Sequence, residues 1–517
     1  MKLVRALFCS LVALIYSSQH LHADDSRILT GSAFFSPRSE NSNTAKSIIQ
    51  WKRYIIPPGD DRWHPTLSFM PEYTRSFRPD RLAEYFFGTS TFGVSGSQSP
   101  FRGDQDFLAD YFGLSPAFSS QICLKPFTQS AIIQTDFYVA RGAWYGAVHV
   151  PIVWKETDMG MHEIVFVDGH DVPFPADYMT SDPLTAPFIS FTEAIQGFAG
   201  FGDVERLRFG KIACGKLHKF DVADVNVMVG WNCINYPDAH FGITAHMVIP
   251  TGNRSSSEFL FEPIVGNGHH WEFGLGFTGH KLIWQKGIEQ EMNVVVETVF
   301  THLFASQQRR SFDFKCKFGS RYILAKQFDQ AGQYTRHSLP AINVTTSCCD
   351  ISADLQMDLS VMIAYRHTNL ELNVGYNGWF RTHEKSCNCT AIPSNTYALK
   401  GIQNVTEAGL PSIATQSTAT LHGNDFADQA LVADPNPPVF FSNNDIDRLS
   451  AGSPLSYTSK GFWHMNYMMT NSNLHFVTPY VGLGGEVEFE GFRPKNVAPN
   501  KDSLAQWGIW GLLGFTY

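Results

Sequence analysis

The sequence predicts an all-β fold, a closed transmembrane antiparallel β-barrel of about 12 strands (range 12–16), with long outside loops and short turns. Three observations predict it. Apolar and polar residues alternate over stretches of ten or more positions, longer than the usual globular strand. The connections between those stretches alternate, short then long. The chain opens on an export signal and closes on an amphipathic strand that ends in an aromatic residue.

The elements follow in order. Lys2 and Arg5 precede an apolar run at 7–16, and Leu21-His22-Ala23 precedes Asp24-Asp25. The run is too short for a bilayer helix, so 1–23 reads as a cleaved signal peptide. Segment 24–64 is mixed, with a helix expected near 44–54, and is expected to lie in the periplasm or the lumen. It is small beside the plug of a large transporter. Residues 65–517 are expected to form the barrel and its loops. No later stretch of eighteen apolar residues appears. Without helices, only a closed barrel satisfies every backbone group in lipid.

Twelve strands are expected at 65–77, 130–140, 143–155, 222–234, 239–250, 270–284, 290–304, 353–366, 369–383, 457–469, 476–489 and 504–517. In the eighth, Leu355, Met357, Leu359, Val361, Ile363 and Tyr365 face one way, and Asp354, Gln356, Asp358, Ser360 and Arg366 the other. The third is bracketed by Trp144 and Trp154, whose separation in a tilted strand matches an apolar band roughly 25 Å tall. Five short connections alternate with six long ones, which sets the termini and the short turns, at Arg141-Gly142 and His367-Thr368 among others, on the periplasmic side. Apolar helical stretches at 107–114 and 191–201 are expected to enter the lumen or cap it.

Charged residues are 17% and aromatic residues 14% of the chain, a balance suited to strands with one lipid face and one watery face. A net charge of −9 argues against nucleic acid as a partner. Beyond Cys9, seven cysteines fall in long loops: Cys123, Cys214, Cys316, Cys348, Cys349, Cys387 and Cys389. They are disulfide candidates in an oxidising compartment. Cys233 sits on a strand and is expected to be free. No cofactor and no metal site is expected, since no Cys or His spacing supports one. Nucleophile-elbow, His-Glu-x-x-His and phosphate-loop motifs are absent, so no enzyme activity is expected.

The closing strand, AQWGIWGLLGFTY, aligns Trp507, Ile509, Leu513, Phe515 and Tyr517 on one face; its apolar exceptions on the other are Trp510 and Leu512. With the export signal and the alternating strands, it resembles the Gram-negative outer-membrane β-barrels, porin-like proteins among them. The resemblance covers most of the mature chain and matches no subfamily. It implies residence in the cell outer membrane, lipid and the barrel-assembly machinery as partners, and Phe515 and Tyr517 as the assembly signal. It also implies a channel for passive diffusion of small polar solutes or ions. Inward positions Asp358, Arg366, Glu371, Arg381, Glu486, Glu488, Asp224 and Glu272 are then pore-lining, and their acid excess favours cations. The alternative is a surface structural or adhesion protein built on a barrel anchor. Solute and oligomeric state stay open.

Overall fold

The computed structural model describes residues 31–41, 43–56, 60–103, 105–174, 185–315, 318–400, 438–469, 477–490 and 504–517. The expected signal peptide at 1–23, Cys316 and most of the longest loop lie outside these residues.

Twelve strands form the wall: β1 (His64–Ser76), β2 (Phe127–Arg141), β3 (Trp144–Asp158), β4 (Val225–Tyr236), β5 (Ala239–Ile249), β6 (Glu272–Lys286), β7 (Gln290–Ser311), β8 (Thr346–His367), β9 (Leu370–Arg381), β10 (Ser456–Met468), β11 (Thr478–Glu490) and β12 (Gln506–Thr516). Each lies at an expected position. Each pairs antiparallel with its chain neighbours, and β12 returns to β1 in the register Thr66↔Thr516 to Ser76↔Gln506. The sheet closes without a free edge, which is what lipid demands of strands. The short strands Asp313–Phe314 and Leu324–Phe328 pair outside the barrel sheet, so the wall holds twelve.

Alternation sets the two faces. Val229, Trp231, Phe273, Leu275, Ile363, Val374, Trp463, Leu483, Ile509 and Leu513 are exposed on the outside of the closed wall. Alternate residues are buried inside. An apolar exterior on a closed barrel is the architecture of an outer-membrane protein. The turns on one side are short, as at 142–143 and 368–369, and the connections on the other are long.

The long connections build a cap with its own core. The helix Pro79–Phe87, with proline in its first turn, ends on Gly88 at φ 71, where a left-handed cap suits glycine. It buries Leu82, Tyr85, Phe86 and Phe87 against Phe92, Phe112, Phe118, Phe191 and Phe261. The stretches expected to be helical at 107–114 and 191–201 supply one short turn, Ala109–Phe112, and one short helix, Phe191–Ala194. Both pack in this core, with the rings of Phe112 and Phe191 4.9 Å apart, and neither enters the barrel. Strands β7 and β8 pair over 22 residues each, so they run beyond the wall and carry part of the cap. Cys349 on β8 is bridged to Cys389. Cys123, Cys214, Cys348 and Cys387 carry free thiols, as does Cys233, exposed on the outer face of β4. The bridge therefore takes two of the seven candidates: register places Cys348 opposite Arg309 and Cys387 opposite Asp350, not opposite each other.

Candidate functional site

The barrel is filled by its own N-terminal segment. The chain enters at the loop end, where the Ser32 N–H donates to Tyr85 O (2.9 Å) and the Ala33 N–H to Ser450 O (2.8 Å). It runs down the lumen through the helix Thr44–Ser47 and the 3-10 helix Ile48–Tyr54. It leaves at the turn end to begin β1. The described N-terminal end thus lies on the loop side; the sequence reading had placed both termini with the turns.

Charges bind the outer half of this plug. The Arg38 guanidinium donates to Asp358 and to Asn377 Oδ1, each at 2.6 Å, and lies 3.6 Å from Glu488. The Thr44 N–H and hydroxyl reach the same Asp358 at 3.0 and 2.8 Å. Glu40 accepts from Lys155 (2.8 Å) and from the Gly266 N–H (2.9 Å). Lys46 pairs with Glu72, and Ser47 donates to Glu297. Arg381 donates to Ser36 O at 2.6 Å. Such buried pairs contribute little net stability, but breaking one strands a charge.

Apolar packing binds the other half. Ile48, Ile49, Trp51, Tyr54 and Ile56 pack with Met70, Tyr138, Tyr145, Met362, Phe462, Tyr480, Trp510 and Leu512 of the inner wall. Polar anchors join it: Glu371 accepts from Trp51 Nε1 (3.2 Å) and pairs with Lys52, Gln50 Oε1 accepts from the Tyr480 hydroxyl (3.0 Å), and Asn232 Nδ2 donates to Tyr54 O (2.7 Å).

The sequence-derived inward residues fall as follows. Asp358, Glu371, Arg381 and Glu488 all contact the plug directly. Glu486 is held by Lys460 at 2.8 Å. Arg366 sits half-buried near the turn end, paired with Glu291 at 2.8 Å. Glu272 accepts from Asn267 Nδ2 and Thr301 Oγ1, both at 2.8 Å. Asp224 lies in a break of the chain: Leu217–Val222 pairs with the outer part of β3, and β4 begins at Val225. It accepts from the Asn267 N–H at 2.5 Å and the Ser39 hydroxyl at 3.5 Å. Phe515 pairs with Leu67 on β1, and Tyr517 is exposed just past the closing strand.

Sequence reasoning missed the plug's Arg38, Lys46, Lys52 and Arg53, and the wall's Glu72, Glu297 and Lys460. The signal was present. Residues 38–53 hold those four bases and a single acid, Glu40, and face a wall read as acid-rich.

With the segment seated, spaces of about 60 and 50 Å³ remain between it and the wall. Each has room for a few waters. The first is lined by Arg38, Lys46, Lys155, Lys460, Glu486 and Glu488 among others.

No family model and no curated protein matches the chain. Among solved structures it is similar to an outer-membrane channel from Pseudomonas putida F1, at 7% identity and a TM-score of 0.35, over 90% of this chain and 98% of that one. It is also similar to a FadL homologue of Pseudomonas aeruginosa (7% identity, TM-score 0.28, 94% and 99%). A third is the transport unit of the autotransporter AIDA-I from Escherichia coli (7% identity, TM-score 0.28, 93% and 99%). Likeness at these scores lends no substrate or mechanism to this chain.

Proposed function

We propose that this chain is a gated outer-membrane channel. Its N-terminal segment 31–56 is the gate, and small polar solutes or ions pass when the segment leaves the wall. The observation that carries this reading is the ionic character of the seat. A filler kept only for stability gains as much from well-packed apolar residues, without the desolvation cost of buried charges. A wall of Asp358, Glu371, Arg381, Glu486, Glu488, Asp224 and Glu272 instead becomes a wettable, charged lining once the plug departs, with Arg366 at its turn-side mouth. The acid excess of that lining favours cations. Glu371→Gln and Glu486→Gln then lower cation-over-anion permeability, and Arg381→Gln raises it. Phe515 and Tyr517 serve assembly: changing both to Ser blocks insertion, read as loss of the heat-modifiable form.

The test is a reversible lock. Thr44 Oγ1 and Ser360 Oγ lie 2.8 Å apart, one on the plug and one on β8. The pair Thr44→Cys/Ser360→Cys, oxidised, silences conductance in a planar bilayer, and reductant restores it. Reductant leaves the wild type unchanged. Conductance that persists in the oxidised variant refutes the gate. The cap, with a core separate from the lumen, favours a surface structural or adhesion role instead if wild type and lock are equally silent.

A further inference from the structure

The smaller space beside the plug is lined by Asn41, Asn43, Ser47, Asn226, His246 and Glu297, and also by Glu272, His149 and Asp358. Five of these residues hold a buried polar atom with no hydrogen-bond partner among the described residues: Asn41 Nδ2, Asn43 Oδ1, Asn226 Oδ1, His246 Nδ1 and Glu297 Oε2. Glu297 is 4% and His246 5% exposed. Leaving that many polar groups unsatisfied in one cavity is costly unless something occupies it.

Charge narrows what the occupant is. Glu297 and Glu272, the latter 2% exposed, both lack a Lys or Arg nitrogen within 4.0 Å among the described residues. Asp358 is already matched by Arg38, and His149 is held by Asp136 at 2.7 Å. The Arg53 guanidinium lies over the rings of Tyr54 and Tyr138 instead. The site therefore holds two carboxyl groups with no Lys or Arg partner within 4.0 Å among the described residues, and an excess of acceptors: the free Glu297 oxygen and the two amide oxygens. Amide flips exchange donor and acceptor on Asn41 as the occupant requires. No three His, Cys, Asp or Glu side chains among the described residues converge to hold a metal ion, so the donor set is one carboxylate plus neutral amides. Hard oxygen donors of low total charge suit a small monovalent cation rather than a transition metal.

We infer that this chamber binds one small monovalent cation, an alkali ion or ammonium, between Asn41 and Asn43 of the plug and Glu297 and Asn226 of the wall. The ion neutralises Glu297 and ties plug to wall in the closed state. Occupancy does not depend on whether the plug ever leaves, so the inference stands apart from the channel reading.

The experiment is equilibrium dialysis of the refolded full chain in detergent against radioactive rubidium, with choline chloride keeping ionic strength constant. Choline carries its charge behind methyl groups, so oxygen donors cannot approach it as they approach an alkali ion. Wild type takes up rubidium saturably, and sodium, potassium and ammonium salts rank the preferred ion by competition. Glu297→Gln weakens uptake at least tenfold and Asn226→Ala several-fold, while Glu258→Gln in the cap leaves it unchanged. Heat-modifiability in choline reports folding of each variant, and Asn226→Ala carries the test if Glu297→Gln does not fold. No saturable uptake in wild type overturns the inference, as does uptake undiminished in the folded variants.

Discussion

Over 38–47 the plug meets the wall through charges; over 48–56 it meets it chiefly through rings and aliphatic chains, with Lys52 paired to Glu371. In the first stretch Arg38, Glu40 and Lys46 each find an opposite charge on a different strand. In the second, Ile48, Ile49, Trp51 and Tyr54 enter one apolar cluster with the wall. The two contacts do different work. Apolar burial is non-directional and scales with area, so it supplies affinity. Ion pairs fix where each residue sits, because a misplaced charge is left unpaired. The apolar half holds the segment in the barrel, and the ionic half sets its register.

Hydrogen exchange resolved by peptide separates the two halves, since each opens with its own free energy. The largest effect is expected from Lys46→Met, which leaves Glu72 a buried uncompensated charge and weakens protection of 38–47 by about 3–5 kcal/mol. The double change Lys46→Met/Glu72→Met removes both charges and returns protection close to wild type. A double variant as weak as the single one breaks the distinction drawn here. Ile49→Ala comes next, costing about 3 kcal/mol through lost burial and the cavity left behind, with protection of 48–56 falling first.

The smallest expected effect is that of salt. The plug's outer pairs are buried and poorly screened, so raising ionic strength changes protection of 38–47 by less than about 0.5 kcal/mol. A large salt effect assigns those pairs to the water-exposed class instead.

The plug left faint traces in the sequence. Trp510 and Leu512 interrupt the polar face of β12, and Met362 and Ala364 that of β8; all four pack against the segment. An inner face with apolar exceptions marks a wall that touches protein rather than water. The cap was announced only as apolar stretches in long loops. Those stretches fold as short turns because Phe107, Phe112 and Phe191 are shared among several loops and no single loop could bury them alone.

By itself the sequence determined a barrel of about twelve strands, where most of them begin and end, which face meets lipid and which end carries the long loops; the outward extension of β7 to Ser311 and of β8 from Thr346 it did not show. The features it did determine follow from period-two alternation, a local pattern written by two different solvents on either side of the wall. Only the tertiary structure decided what fills the barrel and which charges meet. Arg38 and Asp358 are 320 residues apart, as are Trp51 and Glu371. Their meeting depends on closure of β1 on β12 and on the direction in which the N-terminal segment threads the lumen, and no local period records either.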